Sequence, residues 1–266
     1  MRPDAGIRAL GWQHELWGLV RLYRSQRVRK MDEWLKQVQR GSGIALAPGQ
    51  MLPVSPDIQR QLSHYLSFAE RQMQIATNAL RSEHEALQEC HRLGLQVTQT
   101  RTRSADHHQS SKALVAQVSH LAARHCDEAG LAFDVNPQRR AVWLEHGVTH
   151  VSARNLDGVV PSLFNPKLIW EIKEYWGVTS GGSKMSDAVY ECQLVGSELR
   201  NYEVVSRGRV THVVFLDGKD QWGKRRSDLV RFVDLASQGL IDRLVIGKQV
   251  ATEWPEILAQ VAVEGH

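Results

Sequence analysis

A short turn between two apolar segments constrains the fold of this chain more than any other part of its sequence. The extended segments 148–160 and 167–175 lie on either side of Phe164-Asn165-Pro166. A turn at this point makes the two segments neighbouring antiparallel strands. Asp157 and Glu171 are equally far from position 164. The hairpin therefore places these two acids opposite each other, with facing side chains about 5 Å apart.

The segments around this hairpin alternate between helical and extended patterns. Apolar residues have helical spacing in residues 112–130, 186–203 and 227–238, and further extended segments cover residues 140–145, 211–216 and 243–246. The predicted order is helix, three strands, helix, strand, helix, strand. This order favours an α/β fold in which a mixed central sheet is flanked by helices.

The first hundred residues have a different pattern. Helical spacing runs through residues 11–40 and 57–93, and the Gly- and Pro-rich segment between them is typical of a linker. A polar segment, residues 96–111, is a second candidate linker. The sequence therefore predicts an N-terminal helical region over residues 1–105 and an α/β domain over residues 106–266.

Composition excludes few classes of function. The chain has 266 residues, a net charge of +4 and a pI of about 9.0, a balance that permits a nucleic-acid partner without requiring one. No apolar run approaches the roughly 20 residues of a membrane span, and the N-terminus does not resemble a secretory signal. The three cysteines, at positions 90, 126 and 192, lack paired spacing and are predicted to be free, buried thiols in the cytoplasm.

The predicted hairpin brings together a group of side chains suited to metal chemistry. Glu171 and Lys173 are two residues apart on one strand, so both point to the same face, while Ile172 points to the other. Two close carboxylates repel each other unless a cation lies between them. Asp157, Glu171, the backbone at Ile172 and water are the hard oxygen ligands that Mg²⁺ prefers. Lys173 is then placed to orient or deprotonate an attacking water, or to stabilise the phosphorane.

These residues resemble a known motif. Asp157 followed by Glu171-Ile172-Lys173 is similar to the PD-(D/E)xK motif of a nuclease superfamily, over residues 110–250. Leu156 replaces the motif's proline, a departure that the family tolerates. Residues 215–222, FLDGKDQW, are similar to a strand followed by DGxxxW in several type II restriction endonucleases. The resemblance implies a restriction-endonuclease-like core and Mg²⁺-dependent cleavage of double-stranded DNA, often by a dimer.

The resemblance also suggests further residues for the site. Many members use an acid from the first helix, for which Glu128 is the first candidate and Glu145 the second. RecB-like members carry Gln-x-x-x-Tyr on the helix after the motif; here Gln193 is followed at that offset by Ser197. Gln193 and its neighbour Glu191 remain candidates for reaching the site. Asp217 is interpreted as a turn residue before Gly218 rather than as a metal ligand.

Two basic segments are candidates for contact with phosphate. The first is the Gly/Ser loop 178–184, which ends in Lys184. The second is a cluster formed by Lys219, Lys224, Arg225 and Arg226. Contact with the phosphates of nucleic acid makes binding sensitive to salt. For both segments, a role as a connection or a solvated surface is an open alternative.

The leading hypothesis is a restriction or phage-defence endonuclease that cuts duplex DNA with Mg²⁺. It is expected to act as a homodimer, with a companion methyltransferase or a further defence subunit as the other partner class to look for. The N-terminal helices are expected to contact DNA, to dimerise or to dock a partner. A non-catalytic DNA-binding or scaffold subunit that retains the fold, and a structure-specific repair or junction-resolving nuclease, are the alternatives.

Overall fold

A computed structural model describes residues 1–25, 28–41, 44–47, 50–99, 110–145, 147–177 and 182–264. The chain forms two units, one of residues 3–72 and a larger one of residues 73–266 together with residues 1–2. The sequence-based boundary at residue 105 is thus placed later than the boundary between these units. The reason is that the segment after residue 82 packs into the larger unit, where Ala86 and Cys90 are buried in its core.

The smaller unit is mainly helical. It contains helices α1 (Ala5–Ala9), α2 (Leu16–Ser25) and α3 (Val28–Gln39), an antiparallel hairpin of β1 (Ile44–Ala47) and β2 (Gln50–Leu52), and the first part of α4 (Pro56–Ala79). The hairpin occupies the segment that the sequence predicts to be a linker. Trp17 packs edge-on against Tyr65, with ring centroids 5.1 Å apart, and both side chains are buried.

The larger unit contains the central sheet. After the end of α4 its elements are α5 (Glu83–Arg92), α6 (Ala113–Ala129), β3 (Asp134–Arg139), β4 (Val142–Glu145), β5 (Val148–Val151), β6 (Leu156–Val160), β7 (Leu168–Glu174), α7 (Gly182–Ser206), β8 (Thr211–Asp217), α8 (Lys219–Trp222), α9 (Arg226–Gln238), β9 (Arg243–Ile246), a 3₁₀ turn (Gly247–Gln249) and α10 (Val250–Glu264). The strand order is β3-β6-β7-β8-β9. The first three strands are antiparallel neighbours, whereas β7, β8 and β9 run parallel. The predicted fold, a mixed central sheet flanked by helices and preceded by a helical region, is confirmed.

The first strands differ from the prediction. The edge strand of the sheet is β3, whose polar, proline-containing sequence lacks the alternation of a typical strand. The segments 142–145 and 148–151 pair with each other as a separate hairpin of β4 and β5, and Val142 also forms an isolated bridge with Phe164. The second predicted strand therefore contains two elements, β5 and β6, which belong to different sheets.

The helices also differ from the prediction. The predicted helix over residues 57–93 is interrupted between α4 and α5. There Ser82 caps α5, because its hydroxyl accepts from the backbone N–H of Glu85 while the Glu85 carboxylate accepts from the N–H of Ser82. In addition, the sequence analysis predicts neither α8 nor α10. None of the helices among the described residues is long and apolar enough to cross a membrane.

The two faces of the sheet are covered by different helices. On one face, Trp170 and Phe215 pack with α6 and with Trp254 of α10. On the other face, Val159 and Ile169 pack with apolar side chains of α7. We call this second side the α7 face. Cys90, Cys126 and Cys192 are free and buried, as predicted.

The pairing of β6 with β7 has the predicted register. Gly158 lies opposite Trp170, Val159 opposite Ile169 and Val160 opposite Leu168, so the hairpin is centred on position 164. The pairing ends at Gly158 and Trp170, and the next residue of β6, Asp157, accepts a hydrogen bond from the backbone N–H of Ile172 through its side chain. Glycine is required at position 158, because a Cβ atom there would lie 1.8 Å from Cζ2 of Trp170.

Replacing Gly158 with alanine is expected to destabilise the larger unit by about 1–3 kcal/mol or more, the usual loss when a well-packed core is overfilled. The indole of Trp170 is fully buried and has no free space into which to move. Urea unfolding of the purified chain measures the change. Gly18→Ala is a suitable control, since a Cβ atom at Gly18 meets nothing within 4 Å. Equal stability of Gly158→Ala and wild type would contradict this packing.

Candidate active site

Asp157 is held at the point where β6 separates from β7. Its Oδ2 accepts a hydrogen bond of 2.8 Å from the backbone N–H of Ile172, and its Oδ1 accepts one of 3.1 Å from the side-chain amide of Gln138 on β3. Gln138 and Asn136 both have positive φ, and their side chains are hydrogen-bonded to each other. The irregular edge strand thus fixes the orientation of the Asp157 carboxylate.

Glu171 and Lys173 form a buried ion pair on the α7 face. Lys173 Nζ lies 2.9 Å from Glu171 Oε2 and also 2.9 Å from Oε2 of Glu191 on α7. Glu191 is shared with Arg154, at 2.8 Å. Glu171 and Lys173 therefore lie on one face, as predicted, and Glu191 reaches the cluster from the helix.

Two further residues contact Glu171 that the sequence analysis does not identify. His212 is fully buried on β8, and its Nε2 lies 3.3 Å from Glu171 Oε1 while its Nδ1 lies 3.0 Å from the carbonyl of Leu240. The Cys192 thiol donates to Glu171 Oε2 over 3.6 Å. The parallel pairing of Ile169 with His212 brings this histidine to the α7 face. Only knowledge of the strand order could have identified it.

The charges of the cluster shift its pKa values in opposite directions. Burial favours neutral Glu171, but Lys173 and His212 outweigh it and hold the pKa of Glu171 below its ordinary value. Burial likewise opposes the charge on Lys173, yet Glu171 and Glu191 raise the pKa of Lys173 well above its usual value. For Asp157 burial prevails and raises the pKa. Lys173 is therefore a cation at neutral pH, next to one firmly ionised carboxylate.

A cavity of about 360 Å³ opens beside these residues. Its wall includes Asp157, Ile172 and Lys173, with Gln138, Glu174 and Lys112 around them. Glu171 is only 3% exposed and lies behind Lys173. The cavity is thus lined by an acid, a backbone segment and a cation from the predicted motif.

Glu174 is a second acid of this cavity that sequence reasoning misses. Its Oε2 accepts from the backbone N–H of Leu114 at the start of α6, over 2.9 Å, and from Trp176 Nε1 over 3.2 Å. Burial raises the pKa of Glu174 to about 7 despite these hydrogen bonds. The acid that lies beside the start of α6 is therefore Glu174 of β7, and not a residue of α6 itself.

Glu174→Gln is expected to change the pH dependence of stability. A carboxyl group whose pKa rises from 4.5 to about 7 on folding stabilises the protein below pH 4.5, and this contribution is lost as the pH rises through 7. Glutamine still accepts the hydrogen bonds of Leu114 and Trp176 but cannot ionise. The variant should be more stable than wild type by on the order of 2 kcal/mol above pH 7, without this gain at pH 4.

Thermal unfolding of both proteins across this pH range tests the prediction. Glu128→Gln is the matched control, because the Glu128 side chain is 63% exposed. A gain for Glu174→Gln that is equal at both ends of the range would mean that burial of this charge is not its cause.

The structure does not bring the other predicted residues into the cluster. Glu128 is at the opposite end of α6 from Leu114, where it lies 3.9 Å from Arg124. Glu145 lies in the β4–β5 hairpin and pairs with Lys167 at 2.7 Å. Gln193 is exposed on α7, next to the buried Cys192.

Of the two candidate phosphate-binding segments, the first is only partly described. Residues 178–181 of the Gly/Ser loop lie outside the described residues, and Lys184 is exposed at the start of α7. In the second cluster Lys219, Lys224 and Arg226 are exposed, whereas Arg225 pairs with Asp228 at 2.8 Å.

The predicted metal site has two side-chain ligands. Among the described residues, no three His, Cys, Asp or Glu side chains come together in an arrangement that could hold a metal ion. Asp157 and Glu171 are the predicted ligands. The N–H of Ile172 points towards Asp157, and in an extended strand the carbonyl of the same residue points to the same edge. The Ile172 carbonyl therefore faces the side of β7 on which Asp157 lies.

Comparison with known proteins identifies a family for the larger unit. The chain matches no curated protein and no solved structure. A family model described as "Domain of unknown function (DUF7687)" matches residues 74–261, which is well over half of the chain and begins next to the first residue of the larger unit's main segment. The chain therefore belongs to the DUF7687 family.

Proposed function

We propose that this chain is a Mg²⁺-dependent nuclease that hydrolyses phosphodiester bonds of duplex DNA, with a PD-(D/E)xK-type site formed by Asp157, Glu171 and Lys173. The observation that carries the proposal is the junction of β6 and β7. There Asp157 binds the backbone of Ile172, and Lys173, paired with Glu171, lines the same cavity as Asp157. Two residues of the sequence motif thus line one cavity, and the third, Glu171, is buried behind them in an ion pair with Lys173.

The chemistry of the donors fits Mg²⁺. Asp157, Glu171 and the carbonyl of Ile172 offer only hard oxygen atoms, and Mg²⁺ usually keeps several water molecules beside a few protein ligands. Burial raises the pKa of Asp157, so the ionised form is unfavourable there without a cation nearby. When bound, Mg²⁺ would polarise a phosphate oxygen and lower the pKa of a bound water.

The chain's own residues would place the substrate. Lys173 is a cation held by Glu171 and Glu191, and the residue forms part of the cavity wall. In this position Lys173 would hold a phosphate oxygen or orient the attacking water, and its raised pKa makes it a poor general base. Gln138 keeps Asp157 aligned, and Lys112 adds positive charge at the cavity.

Further parts of the proposal concern the biological setting. A net charge of +4 suits a polyanionic partner. A restriction or phage-defence role in the cytoplasm, action as a homodimer and a companion methyltransferase or defence subunit are proposed from the motif's resemblance. For the smaller unit we propose a role in DNA contact, dimerisation or docking. A scaffold subunit without activity is less favoured, because Asp157, Glu171 and Lys173 are all present and together.

The direct test is cleavage of plasmid DNA with Mg²⁺ by wild type and by Asp157→Asn. Asparagine keeps an oxygen that accepts from the N–H of Ile172 but loses the negative charge. We expect cleavage by wild type and a loss of at least about a hundredfold in the variant, as for the removal of an electrostatic group from an active site. Asp127→Asn, at an exposed position of α6, is the matched control and should cut like wild type.

The result also separates the alternatives. The proposal is wrong if Asp157→Asn cleaves DNA as fast as wild type. It is also wrong if wild type cleaves no form of DNA with any divalent metal, and that result would favour a scaffold subunit. Cleavage confined to branched or flapped DNA would indicate a structure-specific repair nuclease. Cuts at one repeated sequence would indicate a restriction role.

A further inference from the structure

A bulge in the edge strand β3 lies opposite the acid that begins the proposed catalytic motif. The pairs on either side of the bulge are Val135 with Gly158 and Arg139 with Leu156. Three residues of β3, at positions 136–138, therefore lie opposite a single residue of β6, Asp157. Bulges are common next to active sites, where they direct side chains to positions that a regular strand does not offer. We call residues 136–138 the β3 bulge.

The backbone of the β3 bulge is unusual. Asn136 and Gln138, on either side of Pro137, have φ values of 61° and 49°. Residues other than glycine rarely adopt positive φ, and glutamine does so at a cost in free energy. Strain of this kind persists where the surrounding structure enforces it, and it is concentrated at functional sites. The conformation of the bulge therefore calls for an examination of its two amide side chains.

One amide nitrogen links the bulge to Asp157. Nε2 of Gln138 donates to Asn136 Oδ1 over 2.8 Å and to Asp157 Oδ1 over 3.1 Å, so both of its hydrogens are used. Because Asn136 Oδ1 is the acceptor of the first bond, Nδ2 of the same amide is left as a donor. This Nδ2 has no hydrogen-bond partner among the described residues. The contact that aligns Asp157 thus also orients a free N–H donor.

The free donor belongs to a residue of the catalytic cavity. Asn136 lines the cavity of about 360 Å³ together with Asp157 and Lys173, and its side chain is exposed. In the hydrolysis of a phosphodiester, negative charge is spread over the non-bridging oxygens of the phosphate. A hydrogen-bond donor that is oriented in advance stabilises such charge, because it does not have to reorganise during the reaction. Asn136 has the position and the chemistry for this role.

We propose that Asn136 is a further catalytic residue, whose amide N–H donates to a non-bridging oxygen of the scissile phosphate. Gln138 is then a positioning residue, because it orients Asn136 and Asp157 together. This inference rests on the proposed function, since it adds a residue to the same site. The PD-(D/E)xK motif contains neither residue, so the assignment comes from the geometry of the β3 bulge.

The test compares cleavage of plasmid DNA by wild type, Asn136→Gly and Asn136→Asp over a range of Mg²⁺ concentrations. Glycine adopts positive φ without strain and removes the whole side chain. Aspartate also tolerates this conformation and keeps an oxygen for Gln138, but its carboxylate has no N–H. Arg207→Gly is the matched control, because Arg207 has a φ of 58° and is exposed just after the end of α7.

We expect both variants to lower the rate at saturating Mg²⁺ and DNA by at least about tenfold, the loss of one hydrogen bond to a charged group, and the control to cut like wild type. The Mg²⁺ concentration at half-maximal rate should not rise, because Asp157 keeps its hydrogen bonds from Ile172 and Gln138. Gln138→Gly, by contrast, should lower the rate and also raise the Mg²⁺ requirement, because it releases Asp157 as well.

The outcomes separate this inference from the proposed function. Thermal unfolding is followed in parallel, and if one Asn136 variant fails to fold, the other decides. Wild-type rates in the folded variants overturn the role of Asn136 and leave the proposed nuclease intact. A lower rate that more Mg²⁺ restores also overturns it, because Asn136 would then act only through Asp157. A wild type that cleaves no DNA contradicts the proposed function itself, and this inference with it.

Discussion

Replacing Glu171 with glutamine should reduce Mg²⁺-dependent DNA cleavage by about a thousandfold or more, because the residue has two roles in the proposed site. Its carboxylate would be one of the two side-chain ligands of the proposed metal ion, and it also holds Lys173 Nζ at 2.9 Å. Glutamine has nearly the same shape, so the change removes the charge and leaves the packing against Cys192 and His212 intact. Initial rates of plasmid nicking, with wild type and variant at equal concentration, measure the effect.

The same substitution should lower stability in a pH-dependent way. The pKa of Glu171 is depressed on folding, so its contribution is present above the ordinary value of 4.5 and is lost as the pH falls below it. Removing one partner of a buried ion pair costs about 3–5 kcal/mol, but Lys173 keeps Glu191, so a loss near the lower end is expected. Urea unfolding should show the full loss at pH 7 and a smaller loss at pH 3, because the contribution declines below pH 4.5 and disappears only as the pH falls through the depressed pKa of the folded state.

Glu191→Gln is the matched control for this experiment. Glu191 contacts Lys173 at the same distance of 2.9 Å, but it comes from α7 and does not lie opposite Asp157. Its loss should reduce cleavage by less than about tenfold, the effect of one weakened ion pair. If Glu171→Gln and Glu191→Gln cut DNA at the same rate, Glu171 acts only through Lys173, and its assignment as a metal ligand is wrong.

The proposed centre could be predicted as far as it depends on one hairpin. A turn centred on position 164 fixes which residues of β6 and β7 face each other, so Asp157 and Glu171 are found by symmetry. The period of two along a strand then gives Lys173. His212 and Glu174 could not be found in this way. Their contacts depend on the order of parallel strands and on the start of a helix 60 residues earlier in the chain.

The same distinction explains the errors in the predicted elements. Apolar spacing continues past Leu80, so a single long helix is predicted there, although Ser82 and Glu85 have the spacing of a capping box. The edge strand β3 was missed because Pro137 and its polar neighbours do not have the pattern of a buried strand. In the first case a capping box ends the long helix, and in the second a polar, proline-containing segment forms a strand. In both, the hydrophobic pattern alone gives the wrong element.

Asp217→Ala should destabilise the larger unit by about 3–5 kcal/mol, the usual effect of leaving a buried charge without its partner. Asp217 is fully buried, and its carboxylate accepts from the N–H of Gly218 at 3.0 Å, which agrees with its interpretation as a turn residue. It also accepts from the backbone N–H and the Nε of Arg81, at 2.8 and 2.7 Å. The turn residue is therefore also the anchor between the end of β8 and the segment that joins α4 to α5.

The other residues of the DGxxxW segment have physical roles in the same place. Gly218 has a φ of 117°, and a Cβ atom there would lie 1.9 Å from the carbonyl oxygen of Tyr175. Trp222 is fully buried, and its Nε1 donates to the carbonyl of Asp217 over 3.1 Å. Each of the three motif residues thus stabilises the end of β8. None of them lines the cavity beside Asp157.

A double substitution distinguishes the contribution of the Arg81–Asp217 ion pair to the free energy of unfolding from the contribution of packing. Burial raises the pKa of Asp217 even though Arg81 lies beside it, so bringing the two charges into the core is itself unfavourable. Arg81→Met combined with Asp217→Leu removes both charges, and its free energy of unfolding should lie closer to wild type than that of Asp217→Ala. Asp220→Ala, at an exposed position three residues away, should have little effect. A double variant less stable than Asp217→Ala would show that the hydrogen bonds of Asp217, rather than the uncompensated charge of Arg81, are what the end of β8 requires.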